Sequence, residues 1–304
     1  PFQQVSEFMD LNGAYRYPYK KRVDDVIWWL TNKRYHIDLL MMYFDEPDET
    51  GHSYGPNSTH VYDVVVMLDN YMVYFLDLLE KRGLMNKVDI ILTADHGMEE
   101  ISYKRQIELN DYVDPKLYTS TLTTPISTIY PYPGNAQKVY DSLKDKHPNF
   151  QVYWQKDVPA HLNYNNSGRI APIVGISDEG WTVVQKKSGS AWIGGNHGYD
   201  VNNVNMHPFF IAHGPSFKKN YKTPTVYAVD VYPLMCHLLN IRPNPNNGSL
   251  ARISHILEQG NTIFSDHGLF ARFYRFIAHN ILFLLMAFIL FSLVTLLFLL
   301  ILRK

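Results

Sequence analysis

IDLLMMYF, residues 37–44, and VDIIL, residues 88–92, are apolar runs that end abruptly in polar residues, Asp45 after the first and Thr93-Ala94-Asp95-His96 after the second. Neither run alternates, and unalternating runs of this length suit strands buried on both faces. Between them, Val61, Val64, Val65, Leu68, Met72, Phe75 and Leu79 recur at helical spacing over residues 59–82, with Ser58 or Thr59 as cap and Gly83 as stop. Strand, helix, strand implies a right-handed crossover and parallel pairing. The polar stops then fall at the carboxyl ends of strands, where open α/β sheets bind ligands. The expected class is α/β, with a mixed, mainly parallel sheet flanked by helices.

Outward from this unit, RVDDVIWWLTNK at residues 22–33 reads as a preceding helix, and residues 226–240 as a late one. From about residue 110 to 195 the texture shifts to Tyr, Pro, Gly and Thr, with short β-like runs at 170–175 and 181–185 and one amphipathic helix at about 135–146. This stretch is expected to be a small β-rich subdomain inserted beside the site. The catalytic domain is expected to occupy residues 1–250.

The 304 residues carry a net charge of -1, so no global field exists to hold a nucleic acid polymer. Cys236 is the sole cysteine and shares a stripe with Val229, Tyr232 and Leu239, which suits a buried apolar role. The opening PFQQVSEFMD has neither the charge pattern nor the apolar core of a signal peptide, and an N-terminal portion is expected to precede it. Sequons at Asn57, Asn165 and Asn247 point to passage through the secretory route.

Residues 281–302, ILFLLMAFILFSLVTLLFLLIL, hold no charge and only Ser292 and Thr295 as polar residues. At about 1.5 Å per residue they would extend about 33 Å, enough for a hydrocarbon core of about 30 Å. A single membrane-spanning helix is expected there, after a stalk at 251–280 and before a cytoplasmic end at 303–304. Arg272 and Arg275 before the span balance Arg303 and Lys304 after it, so charge sets no orientation. The sequons, all N-terminal to the span, favour an extracellular domain at the plasma membrane.

Asp and His concentrate in three islands: Asp48-Glu49-Thr50-Gly51-His52, Asp95-His96-Gly97 and Asn196-His197-Gly198-Tyr199-Asp200. Carboxylate oxygen with imidazole nitrogen is a zinc-type donor set, whereas calcium or magnesium favours oxygen alone. Taken singly, each such residue is more often a cap, a turn former or a solvated group. Three Gly-flanked islands, two of them at expected strand ends, favour a metal site.

The strings DEPDETGHSYGP (45–56), ILTADHGM (91–98), NHGYD (196–200) and MHPFFIAHGPSFKK (206–219) resemble the ecto-nucleotide pyrophosphatase/phosphodiesterase family of the alkaline phosphatase superfamily, most of all its short type I membrane members, types 4 and 5. The resemblance runs from about Arg22 to Ser249. It implies an extracellular hydrolase of phosphodiester or pyrophosphate bonds in nucleotides, with two zinc ions. Asp48, His52 and His197 would hold one ion, and Asp95 and His96 would belong to the other. An Asp and a nucleophilic Thr that complete the family's second site match nothing in these residues, so no nucleophile is assigned here. The implied course is Thr attack, a phosphorylated enzyme, and its hydrolysis by an activated water. Tyr15 or Tyr17 is a candidate for stacking on the nucleobase, and Tyr54 for lying near the site. Two other readings stay open: another phosphoesterase of the superfamily, and a catalytically silent ectodomain acting as a receptor or adhesion module.

Overall fold

The computed structural model describes residues 18–122, 124–186 and 192–258, which fall into two compact units divided after Gly214. In the first unit, helix α1 (Tyr19–Thr31) precedes the short α2 (Asp48–Tyr54) and the long α3 (Thr59–Lys81). The spacing read from the sequence produces α3 directly. Ser58 caps it by accepting from the Val61 amide at 3.3 Å, and Gly83 adopts φ +63 just past its end, a conformation cheap only for glycine. Its apolar stripe delivers Phe75 and Leu79 into a core with Val23 and Ile27 of α1, against which Met42, Phe44, Val88 and Ile90 also pack. Each fully buried side chain of this kind contributes about 1.5–3 kcal/mol.

The strands pair differently from expectation. Strand β1 (Ile90–Thr93) runs antiparallel to β10 (Phe210–His213), with Leu92 opposite Ile211. Residues 37–44 form no ladder with any described residue and are not a strand. Apolar character buries a segment, but only a neighbour offering matched N–H and C=O groups makes it a strand. The same run therefore packs Met42 and Phe44 inward while Leu39, Met41 and Tyr43 stand exposed. Among the described residues the only parallel pair is β3 (Gln106–Glu108) with β8 (Thr182–Val184). Among the described residues the sheets together are mixed, and their pairs are mostly antiparallel rather than mainly parallel.

Strand β2 (Glu99–Ser102) pairs antiparallel with β9 (Ile193–Asn196), and β9 leads straight into His197. A four-stranded antiparallel sheet in the order β4-β5-β7-β6 is built from Tyr118–Leu122, Ile126–Pro131, Ile173–Ser177 and Phe150–Trp154. Helix α4 (Ala136–Leu143) seals one face, placing Val139 and Leu143 among Ile129, Phe150, Val152 and Ile173.

The second unit contains α5 (Val231–Leu238) and α6 (Leu250–Ile253). Leu234, Cys236, Ile253 and Ile256 are buried, and Cys236 is a free thiol. Among the described residues no helix is long and apolar enough to cross a membrane. The apolar segment 281–302, most of the 251–280 segment and the 303–304 end lie outside them.

Candidate metal centre

Pro47 stands just before α2, and Asp48 and His52 occupy its first and last turns, one helical turn apart on the same face. His96 and Asp95 follow the end of β1, and His197 follows the end of β9. Helix and strand ends from three separated stretches of sequence thus converge on one carboxylate. The Asp48 Oδ1 atom lies 3.4 Å from His52 Nε2, 3.5 Å from His197 Nε2 and 4.0 Å from His96 Nε2. His96 Nε2 is also 3.5 Å from Asp95 Oδ1. The His96 and His197 rings stack at 3.5 Å and 12°, and the His52 ring lies 5.0 Å from that of His197.

The backbone settles which nitrogen each ring presents. His52 Nδ1 lies 2.8 Å from the Gly195 carbonyl and His96 Nδ1 2.9 Å from the Gly97 carbonyl. A carbonyl only accepts, so the proton sits on Nδ1 and the Nε2 lone pair is left for the cluster. Burial, and after it the neighbouring His96 ring, pulls the His197 pKa below the ordinary imidazole value, which keeps that ring neutral and able to donate its lone pair.

Asp48 Oδ1 is buried and has no hydrogen-bond partner, although three imidazole nitrogens face it. A buried carboxylate oxygen without a donor costs about 1–3 kcal/mol or more. Around a tetrahedral zinc, bonds of about 2.0–2.2 Å set ligand atoms about 3.3–3.6 Å apart. The Asp48–His52 and Asp48–His197 separations of 3.4 and 3.5 Å match that edge, and these three residues form a group able to hold one metal ion. His96 at 4.0 Å is too far to share it comfortably, and pairs instead with Asp95.

Other residues singled out in the sequence fall elsewhere. Asp200, in the third island, accepts from or pairs with His161 Nε2 at 2.9 Å and stays out of the cluster. Tyr54 is exposed and stacks on His60 at 3.9 Å and 9°. His207 Nε2 lies 2.9 Å from the Val201 carbonyl, a structural contact. Tyr15 and Tyr17 lie outside the described residues. A contact just upstream of Asp48 is not marked by residue type or spacing in the sequence. Arg22 Nη1 pairs with the buried Asp45 at 3.2 Å and donates to the Tyr43 carbonyl at 2.6 Å, tying α1 to the approach to α2. An acidic residue three places before a candidate ligand was the visible signal, but an ion pair with α1 was not.

Helices, short mixed sheets and a carboxylate–imidazole cluster able to hold a metal ion together define a protein of α/β type with a candidate metal centre. The family model for type I phosphodiesterase / nucleotide pyrophosphatase matches residues 3–200. Human ectonucleotide pyrophosphatase/phosphodiesterase family member 5 is 41% identical over 239 residues, covering 79% of this chain and 50% of the relative. Human bis(5'-adenosyl)-triphosphatase ENPP4 is 36% identical over 253 residues, covering 83% of this chain and 55% of the relative. The solved structure of murine family member 5, as an inactive variant in complex with AMP, aligns with a TM-score of 0.76 at 40% identity over 80% of this chain and 64% of the other. The chain belongs to the type I phosphodiesterase/nucleotide pyrophosphatase family, and its fold is the alkaline-phosphatase-like fold of those relatives. It spans about half the length of the curated relatives it matches.

Proposed function

We propose that the protein is an extracellular, zinc-dependent hydrolase of phosphodiester or pyrophosphate bonds in nucleotides. The observation that carries this is Asp48 Oδ1, buried without a donor and ringed by three Nε2 atoms, in a chain of this family. Asp48, His52 and His197 would hold one zinc, and Asp95 and His96 would contribute to a second. Such a pair, when bound, neutralises phosphoryl charge and lowers the pKa of an attacking hydroxyl or water. The chain's own residues set the donors: the Gly195 and Gly97 carbonyls hold the His52 and His96 protons on Nδ1, and the desolvated His197 stays neutral. The attacking Thr is not assigned to a residue of this chain.

Two relatives supply the substrate class, one named a bis(5'-adenosyl)-triphosphatase and one solved with AMP. An adenine nucleotide bearing a phosphoanhydride is the reading they support. Residues 281–302 would anchor the protein as a single-pass type I membrane protein, with residues 110–195 as an insertion beside the site and 251–280 as a stalk. In the full-length polypeptide, His52→Ala and His197→Ala should each remove most hydrolysis of a diadenosine triphosphate while surface delivery persists. Near-normal turnover with full zinc content in either variant would overturn the ligand assignment.

A further inference from the structure

We propose that Met98 is a positioning residue for the metal centre, a thioether wedge that sets the spacing between the helix carrying Asp48 and His52 and the strand end carrying His197. This rests on the metal-site reading above. Helix α2 and strand β9 approach each other at backbone distance, and glycines make the approach possible. A Cβ at Gly194 would lie 2.5 Å from the His52 carbonyl oxygen, and one at Gly195 would lie 2.6 Å from the Gly51 carbonyl oxygen. No side chain fits between these two backbones.

What occupies the space beside them is Met98. A Cβ at Gly51 would collide with the Met98 Sδ, and a Cβ at Gly195 would collide with the same sulfur. One atom therefore touches both walls, at the positions where each wall has no side chain. Met98 itself follows Asp95-His96-Gly97, so the remaining ligand-bearing segment supplies the wedge. That segment is fixed from behind: the Gly97 amide donates to the Met206 carbonyl at 2.9 Å, and a Cβ at Gly97 would overlap the Asn205 carbonyl. The sulfur consequently registers all three islands against one another.

The spacing matters because it is the ligand geometry. Gly195 has its carbonyl on His52 Nδ1 and, two residues on, His197. Moving β9 away from α2 lengthens that hydrogen bond and the separations from Asp48 to His197 together. An unbranched thioether adapts to the irregular slot left by two opposed glycines. A β-branched side chain would not reach between them, and a small one would leave the walls free to slide.

The test is titration of the full chain with cobalt(II) alone, followed by calorimetry and by the visible d–d absorption that reports coordination geometry, at a temperature where every variant is folded. Wild type should bind and His52→Ala should not. If wild type binds no cobalt, or His52→Ala binds it equally well, the metal-site reading fails and this proposal falls with it. If the reading holds, Met98→Ala should bind about 10–100-fold more weakly, the usual cost of losing support behind a ligand, with an altered d–d band. Met98→Leu, which conserves volume, should restore both. A Met98→Ala protein that melts earlier but keeps wild-type affinity and spectrum would overturn the proposal. Should Met98→Ala fail to fold, Met98→Val carries the same two outcomes.

Discussion

Asp48 illustrates how a single residue can be costly to one property and necessary to another. Its Oδ1 is buried without a donor, so the carboxylate is an electrostatic liability until a cation meets it. Asp48→Asn should therefore leave the metal-free protein at least as resistant to heat as wild type, while removing the rise in melting temperature that zinc gives. The rise follows from binding to the folded state alone, about RT ln(1 + [L]/Kd). A variant with normal zinc-dependent stabilisation would show that Asp48 is not a ligand. The islands that hold Asp48, His52, Asp95, His96 and His197 are legible because each groups ligand-type side chains with a glycine within a few residues. Their mutual distances were not legible, because the 3.4–4.0 Å contacts join residues separated by up to about 150 positions in sequence. Arg22 and Met98 were missed for the same reason, since neither type nor spacing marks a residue whose role is what it touches.

Among the elements, helices are more legible in the sequence than strands. Helix α3 carries its cap, stripe and stop within one stretch of chain, so local information suffices. Residues 37–44 have the apolar density of a buried strand, yet pairing depends on a partner that the run itself does not encode. The late helix was also shorter than read: α5 begins at Val231, after Asp230, not at residue 226. Asp230 is buried there and accepts from Arg252 at 2.6 and 2.9 Å and from the Ser249 amide at 2.7 Å, lashing the start of α5 to the chain around α6. The Arg252 guanidinium in particular holds the Asp230 pKa below the ordinary carboxylate value. A depressed pKa stabilises the fold above the ordinary value, and that contribution is lost as pH falls through the folded-state value. Asp230→Ala should destabilise by about 1.5–3 kcal/mol at neutral pH, as for hydrogen bonds to a charged group. The gap in melting temperature between variant and wild type should narrow on acidification below the carboxylate range. An equal gap at every pH would mean that packing, not charge, holds this joint.

For the whole molecule, the proposed topology says which side of a membrane each part would meet, and the sequence and the structure bear on different pieces of it. Residues 281–302 are long and apolar enough to span, but the charges flanking them are balanced, so orientation rests on the sequons. Asn57 stands exposed beside the cap of α3, and Asn247 is exposed in the approach to α6. Asn165 is half-buried, with its side-chain amide donating to the Val158 carbonyl at 3.3 Å. An oligosaccharide needs an asparagine that projects freely from the surface. Asn57 and Asn247 should therefore be the occupied pair when the protein is made in a secretory host, with Asn165 modified weakly if at all. Glycosidase digestion should increase gel mobility. Asn57→Gln and Asn247→Gln should each remove one step of that shift, and together nearly all of it, while Asn165→Gln changes little. The full chain should remain in the membrane fraction through alkaline washing. A glycosylating host that returns protein with no mobility shift would reverse the orientation, placing the metal centre in the cytosol and removing the ground for calling the enzyme extracellular.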